Sequence, residues 1–151
     1  MNLLLRPADP NDSEFAFQAK KAAFMQYVGQ VWGWDEAQQR RLHEERFGAR
    51  EFRIINVDGT DVGVIAVMAQ PDCMDLYQLF ILPRYQSRGI GTGCISLVIE
   101  EARALGMPLR LRALKVNSRA VSFYERQGFV RTGETDTHVM MEKATDGRHK
   151  R

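Results

Sequence analysis

A strand-like run, a turn with two glycines and a helix-like run follow one another directly near the middle of the chain. Residues 76–82 are rich in large apolar side chains, and Pro83 lacks the backbone donor that further strand pairing needs. Beyond the turn, apolar residues recur at helical spacing until Gly106. Residues 109–114 then alternate as a strand. Two strands joined by a helical crossover run parallel, so the chain must build a sheet that contains a parallel pair.

The turn at residues 84–92 has the features of an anion site. Gly89 and Gly91 allow a ligand to approach where a Cβ would block it. N–H groups at the start of the following helix lack partners, and the helix dipole favours a phosphate there. No Lys-Ser/Thr pair and no third glycine follow, so neither the Walker nor the dinucleotide pattern fits. These residues by themselves leave two alternatives, a phosphate site and a plain connecting turn.

The remaining segments predict a mostly antiparallel sheet. Asp58-Gly59 is typical of a hairpin turn, and Gly133-Glu134 separates two late strands. In the first helix, Ala19 and Ala22 are expected to face the core, with Lys20 and Lys21 facing solvent. We therefore predict an α/β (α+β) fold with a mixed, mostly antiparallel sheet of six to seven strands and about four helices. The predicted strands are residues 3–6, 51–57, 62–68, 74–82, 109–114, 129–132 and 137–141.

Composition excludes several classes of function. The chain has 151 residues with 21 Lys+Arg against 19 Asp+Glu, so nothing indicates a nucleic-acid or membrane partner. Cys73 and Cys94 have neither metal-ligand nor disulfide-framework spacing, which predicts no metal and a reduced thiol state. No targeting segment or membrane span is evident, so a cytoplasmic location is expected. We expect one domain over residues 1–143 and a basic, disordered tail over residues 144–151.

Residues 27–34 are unusually aromatic for a connection between two helices. Tyr27, Trp32 and Trp34 are interrupted by Gly29 and Gly33. One interpretation is a surface that binds a flat or apolar group. The other is that the two tryptophans cover core between helices, since tryptophan is usually well buried.

Two segments of the chain resemble motifs of one enzyme family. Residues 86–91, Gln-Ser-Arg-Gly-Ile-Gly, match the Gln/Arg-x-x-Gly-x-Gly/Ala signature of the Gcn5-related N-acetyltransferases. Residues 117–129, from Asn117 to Phe129, are similar to the family's Asn-x-x-Ala-x-x-Phe-Tyr-Glu-x-x-Gly-Phe segment. The order of elements fits this family from Leu3 to Met141.

The resemblance implies the acyl-CoA N-acyltransferase fold, with a splayed parallel strand pair, and acetyl-coenzyme A as donor. It implies direct transfer to a primary amine, from a small molecule or a peptide, without a metal, and it is compatible with a homodimer. Arg84 and Arg119 are further candidates for phosphate contacts. The residues expected to bind the donor are Ile81, Leu82, Gln86, Ser87, Arg88, Gly89, Ile90, Gly91, Thr92 and Asn117.

Tyr124 is the predicted catalytic acid. Without the resemblance it would be interpreted as a core aromatic on a helix; with it, the hydroxyl is expected to protonate the departing thiolate. Asp75, eleven residues before Gln86, is the leading candidate for the general base, with His138, Glu36 or an ordered water as alternatives. A catalytically inactive coenzyme A-binding module is the alternative function. The residues expected to contact the acceptor are Tyr27, Trp32, Trp34, Tyr77 and His138.

Overall fold

The structure, a computed structural model, describes residues 1–49 and 51–145. The described residues form seven strands and four α-helices, with two short 3-10 helices at Pro10–Asp12 and Pro83–Tyr85. The strands are β1 (Leu3–Pro7), β2 (Phe52–Val57), β3 (Thr60–Ala69), β4 (Met74–Ile81), β5 (Leu109–Leu114), β6 (Val130–Glu134) and β7 (His138–Lys143). The helices are α1 (Ser13–Val31), α2 (Glu36–Ala49), α3 (Ile90–Ala104) and α4 (Ser118–Arg126).

The strands follow the order β1-β2-β3-β4-β5-β7-β6 in one sheet. β1 with β2, β2 with β3, β5 with β7 and β6 with β7 are antiparallel. β4 and β5 are parallel, with Met74–Leu76 opposite Leu109–Leu111. The predicted fold is confirmed: a mixed sheet with a parallel pair on either side of the helical crossover, and four helices.

The chain divides into two compact units, and the division falls within β3, β4 and α3. The first unit contains Met1–Val67 and Gln78–Cys94, and the second contains Met68–Tyr77 and the chain from Ile95 onward. The single domain over residues 1–143 stays a prediction.

In the first unit, α1 packs its small residues against the sheet. Ala16 and Ala19 are fully buried against apolar side chains of three strands, which allows close approach of helix and sheet. The turn between β2 and β3 has positive φ at both Asp58 (51°) and Gly59 (87°), as a tight type I′ hairpin requires. The strand residues in this cluster are Phe52, Ile54, Val64, Ala66 and Phe80.

Helix α1 is longer than the sequence predicts. Residues 27–31 form its last turns instead of a connection, so that prediction is wrong. Gly29 lowers helix propensity, but Val28 is buried and Tyr27 packs on Phe24 at 6.4 Å between ring centroids. The packing of Tyr27 and Val28 therefore outweighs the low helix propensity of Gly29. The helix ends at Gly33, whose φ is +82°.

The prediction that Lys20 faces solvent is also wrong. Its side chain is only 3 % exposed, on the same inner face as Ala16 and Ala19, whereas Ala22 is exposed. No carboxylate within residues 1–49 and 51–145 pairs with it. Burial therefore lowers the pKa of Lys20 from its ordinary 10.5 to about 8. Lys21 instead forms an ion pair with Glu36 at 3.1 Å.

In the second unit, the C-terminal half of α3 and strands β5 and β7 supply the core. Ile95, Val98 and Leu109 are fully buried there. Thr145, within the predicted tail, is also buried: its hydroxyl donates to the carbonyl of Met107 at 2.6 Å. Residues 146–151, the rest of that tail, lie outside the described residues.

Candidate functional site

The glycine turn of the first unit has a backbone shaped for an anion. Ser87 (φ 62°) and Gly89 (φ 84°) both adopt the left-handed conformation, with Arg88 between them. Left-handed residues in such a turn direct successive N–H groups into one concavity. The first helical hydrogen bond runs from the Gly93 N–H to the Gly89 carbonyl at 3.0 Å. The Ile90 and Gly91 amides, at the start of α3, thus precede the helical ladder and can donate to a ligand.

The surroundings of the turn add open space and positive charge. A Cβ placed on Gly89 would meet no atom within 4 Å. The guanidinium carbons of Arg84 and Arg88 lie 5.2 Å and 5.7 Å from the centroid of the Tyr85 ring. Cation–π contact with one ring therefore holds two arginines beside the turn. This arrangement fits a pyrophosphate.

Gln86 positions the turn relative to the end of β4. Its side-chain amide donates to the Ile81 carbonyl at 2.8 Å, so the motif glutamine acts within the protein. The Leu82 N–H donates to the Val62 carbonyl of β3 at 2.9 Å. Because backbone groups of successive strand residues point to opposite sides, the Ile81 N–H points away from β3. The side chain of Ile90 is buried, which leaves only its amide for a ligand.

Helix α4 of the second unit carries the two residues of the second motif. The Asn117 side-chain oxygen accepts from the Ala120 N–H at 3.1 Å, which caps the helix and leaves the NH2 group to donate. The Tyr124 ring contacts Phe123 and Phe129, with centroids 5.2 Å and 5.6 Å apart. Although part of the side chain is accessible, burial raises the pKa of the Tyr124 hydroxyl. The hydroxyl therefore stays protonated at neutral pH, as a proton donor must.

Asp75 and Tyr77 lie on one face of β4. Met74 and Leu76 alternate with them and are buried, whereas Asp75 is half-buried and Tyr77 is 40 % exposed. Asp75 is paired in register with Arg110 of β5, and the Cys73 thiol lies 3.9 Å from its carboxylate. The structure thus places the predicted base and the tyrosine two residues later on the same face.

His138, at the start of β7, interacts with two donors through one ring nitrogen. Nδ1 lies 2.8 Å from the Thr137 hydroxyl and 3.3 Å from the Arg112 guanidinium. A guanidinium can only donate, so Nδ1 accepts and Nε2 carries the proton. Burial, together with Arg112, lowers the pKa of His138, which is therefore neutral at pH 7. Arg112 is not among the residues predicted from the sequence, although the alternation of residues 109–114 places its side chain on the exposed face of β5.

The two tryptophans differ in their surroundings. Trp34 donates to Glu36 at 2.9 Å and packs 6.4 Å from the Phe17 ring, whereas Trp32 is 60 % exposed. Glu36 also lies 3.1 Å from Lys21 and 3.6 Å from Arg40. Hydrogen bonds from Trp34 and Lys21 lower the pKa of Glu36. These contacts place Glu36 in a structural network between α1 and α2. A carboxylate with a lowered pKa binds a proton less readily, so Glu36 is poorly suited to act as a general base.

Cys73 and Cys94 are free and buried, and burial raises the pKa of Cys94 to about 12. Within residues 1–49 and 51–145, no three His, Cys, Asp or Glu side chains are grouped to hold a metal ion. The helices described there are all too short or too polar to cross a bilayer.

Comparison with known proteins gives one family match and one curated relative. Residues 15–129 match the model of the acetyltransferase (GNAT) family. A protein of Methanocaldococcus jannaschii called an uncharacterized N-acetyltransferase is 32% identical over 88 residues. That match covers 52% of this chain and 38% of the relative, so the chain spans well under two thirds of the relative's length.

Several solved structures share the fold at low identity. The PaiA N-acetyltransferase of Thermoplasma acidophilum, in complex with coenzyme A, is 19% identical with a TM-score of 0.78, covering 95% of this chain and 99% of that one. An acetyltransferase of Thermus thermophilus is 18% identical with a TM-score of 0.78, at 95% and 97% coverage. The ribosomal-protein-S18-alanine N-acetyltransferase of Escherichia coli is 17% identical with a TM-score of 0.71, at 94% and 93% coverage.

Proposed function

The chain belongs to the GNAT family of acetyltransferases, and we propose that it transfers the acetyl group of acetyl-coenzyme A to a primary amine. The family match over residues 15–129 confirms the resemblance inferred from the two motifs. The observation that carries the proposal is the turn in which Ser87 and Gly89 are both left-handed, beside Arg84 and Arg88.

Acetyl-coenzyme A would supply an activated thioester, and three parts of the chain are suited to hold it. The amides of the glycine turn and the two arginines suit the pyrophosphate. The Ile81 N–H, directed away from β3, suits the amide-bearing pantetheine arm as an added strand would. The family resemblance assigns Asn117 to the same arm, and its NH2 group can donate a hydrogen bond while the side-chain oxygen caps α4.

Tyr124 and Asp75 divide the proton transfers of the reaction. The acceptor enters as an ammonium, and Asp75 takes its proton directly or through a water held near Tyr77. The neutral amine then bonds to the acetyl carbon while the carbon–sulfur bond breaks, and Tyr124 gives its proton to the departing thiolate. The attacking nitrogen loses its second proton to solvent, from which the Tyr124 phenolate takes a proton back, so the amide product and the tyrosine are both neutral at the end of the reaction. The raised pKa of the Tyr124 hydroxyl keeps that proton in place until the sulfur becomes basic.

Direct transfer is favoured over an acyl-enzyme. A thiol whose pKa is near 12, like that of Cys94, is almost wholly protonated at neutral pH and makes a poor nucleophile. Burial also raises the pKa of Cys73. A cysteine intermediate therefore has no activated residue among the described thiols, and both substrates are proposed to bind before chemistry.

The proposed acceptor is a primary amine, on a small molecule or a peptide. Trp32, which is 60 % exposed, and Tyr77, which is 40 % exposed, are aromatic side chains proposed to contact it. The proposal places the reaction in the cytoplasm, requires neither metal nor nucleic acid, and is compatible with a homodimer.

A thiol-release assay with acetyl-coenzyme A tests the function. The pure protein is incubated with a panel of amines, and free coenzyme A is measured with a thiol reagent. We expect amine-dependent thiol release with a matching N-acetylated product by mass spectrometry. Coenzyme A binding without turnover on any amine would favour the inactive binding module instead.

Gly89→Ala is expected to weaken coenzyme A binding roughly 10-fold. An alanine at a φ of +84° is strained by about 1–2 kcal/mol, and relief of that strain would turn the amides of the turn out of alignment. Isothermal titration with coenzyme A measures the affinity.

Gly33→Ala is the matched control for this change. Gly33 has a φ of +82° and equally open surroundings, but it lies between α1 and α2. We expect a similar loss of thermal stability and unchanged coenzyme A affinity. Equal affinities for the two variants would remove the role assigned to the Gly89 turn.

A further inference from the structure

Two arginines of β5 share the exposed face of the second unit. Leu109, Leu111 and Ala113 are buried, so Arg110 and Arg112 point to the opposite side of the strand. Asp75 of β4 is paired with Arg110, which places the proposed base on this same face. The two arginines have the same chemistry but different surroundings.

Arg110 is neutralised by carboxylates. Its Nε lies 2.6 Å from Glu142 of β7, and another of its nitrogens lies 3.6 Å from Asp72. Hydrogen bonding to Glu142 raises the pKa of Arg110 further above its ordinary value. Arg110 therefore serves to join β5 to its neighbours.

The positive charge of Arg112, in contrast, is not offset by a carboxylate of the described residues. The side chain is exposed, and no carboxylate in residues 1–49 or 51–145 lies within ion-pair distance. Its contact is the Nδ1 atom of His138 at 3.3 Å, which orients the guanidinium without offsetting its charge, because His138 is neutral. A positively charged fork is thus held in place and still has donors available for an anion.

We propose that Arg112 binds a carboxylate of the acceptor, which is therefore a small primary amine that carries a carboxylate, such as an amino acid. The proposal rests on the proposed function and specifies its substrate class. Asp75 is paired with Arg110, and Arg112 lies two residues further along the same face of β5, roughly 7 Å from Arg110, a distance that the two long side chains can span. An amino acid placed between Asp75 and Arg112 would direct its ammonium to Asp75 and its carboxylate to Arg112.

Matched pairs of acceptors test this substrate class. L-amino acids and the corresponding amino acid amides share side chain and amine, but the amides lack the carboxylate. The ratio of kcat/KM for acid over amide is measured by thiol release for the natural protein, Arg112→Gln, Arg112→Lys and Arg110→Gln. Since the intrinsic reactivity of each amine is the same for every variant, a change in this ratio isolates the contact made by the arginine.

We expect Arg112→Gln to lower the ratio roughly 10- to 100-fold, mainly through KM for the acid, as loss of a charge-assisted contact implies. Arg112→Lys should recover part of the ratio because it keeps the charge without the fork. Arg110→Gln should leave the ratio unchanged, whatever it does to stability. An unaltered ratio in Arg112→Gln, or a natural protein that acetylates only amines without a carboxylate, overturns the proposal.

Binding measurements test the Arg112 site separately from the acetyltransferase activity on which the proposal rests. If no amine supports thiol release, the proposed function fails. Calorimetric titration of the same acid and amide pairs into the coenzyme A-loaded protein still compares the natural protein with Arg112→Gln. Preferential binding of acids that the variant loses supports the Arg112 site, and equal binding of acids and amides in both proteins contradicts it.

Discussion

Tyr124→Phe is expected to lower kcat about 100-fold or more, with little change in the KM for acetyl-coenzyme A. The substitution removes one oxygen and keeps the ring that packs against Phe123 and Phe129. A positioned proton donor contributes about 10²–10⁴-fold to rate, and without it the thiolate must leave unprotonated. Steady-state kinetics at saturating acetyl-coenzyme A measures the effect. The loss should be smallest with a donor whose thiol is more acidic, because such a thiolate leaves without assistance.

Tyr85→Phe provides the matched control for the Tyr124 variant. It removes the same atom from a ring whose proposed contribution, the cation–π contact with Arg84 and Arg88, does not need the hydroxyl. We expect its kcat to stay within about two-fold of the natural value. If Tyr124→Phe behaved in the same way while remaining folded, Tyr124 would be a packing residue of α4 and another group would have to protonate the thiolate.

Lys20→Met is expected to stabilise the protein by roughly 1–3 kcal/mol at pH 7. Lys20 is 3 % exposed, and burial lowers its pKa to about 8, so the folded state carries a desolvated charge at neutral pH. The shift from 10.5 corresponds to roughly 3 kcal/mol, of which methionine recovers the part that its packing allows. Urea unfolding of both proteins at pH 7 measures the difference.

The contribution of Lys20 to the free energy of unfolding depends on pH. Between pH 8 and pH 10.5 the unfolded chain binds the Lys20 proton and the folded protein has released it, so this residue's contribution to stability rises with pH. Cys94 and Tyr124, whose pKa values are raised by burial, act in the opposite direction. The informative quantity is therefore the difference between the natural protein and Lys20→Met, which should shrink as pH rises through this window.

Lys21→Met is the control, one residue along the same helix. Lys21 is 35% exposed and pairs with Glu36, so its replacement should change stability by less than about 1 kcal/mol, independently of the pH window above. A Lys20→Met protein that is less stable at pH 7, or that differs from the natural protein equally at pH 7 and pH 10, would show that Lys20 is not a desolvated charge.

Much of the fold could be predicted because, in most segments, the local sequence pattern and the tertiary packing favour the same structure. The strand at residues 109–114 was located to the residue, since its alternation of Leu and Arg leaves one register. Asp58-Gly59 defines the first hairpin because its two positive φ angles suit few other residue pairs. In α1 the same reasoning failed, because Gly29 predicts a helix end that burial of Val28 overrides.

Residues for the proposed donor site could be named from local patterns, whereas the grouping of residues on the proposed acceptor side could not. The glycine turn and α4 are contiguous segments, so their residue types and spacing carry the information. Asp75, Arg112 and His138 come from three strands and meet on one face only through the sheet register, which no local pattern contains.

The sequence by itself therefore determined the sheet with its parallel pair, the presence of a glycine turn before α3 and the family, because each depends on residues adjacent in the chain. Only the tertiary structure decided which charged residues have an oppositely charged partner. Arg110 and Arg112 are identical in residue type and lie two positions apart, yet one has Glu142 at 2.6 Å and the other has a neutral histidine. The same holds for Lys20 and Lys21, since burial and ion pairing depend on neighbours that are distant in sequence.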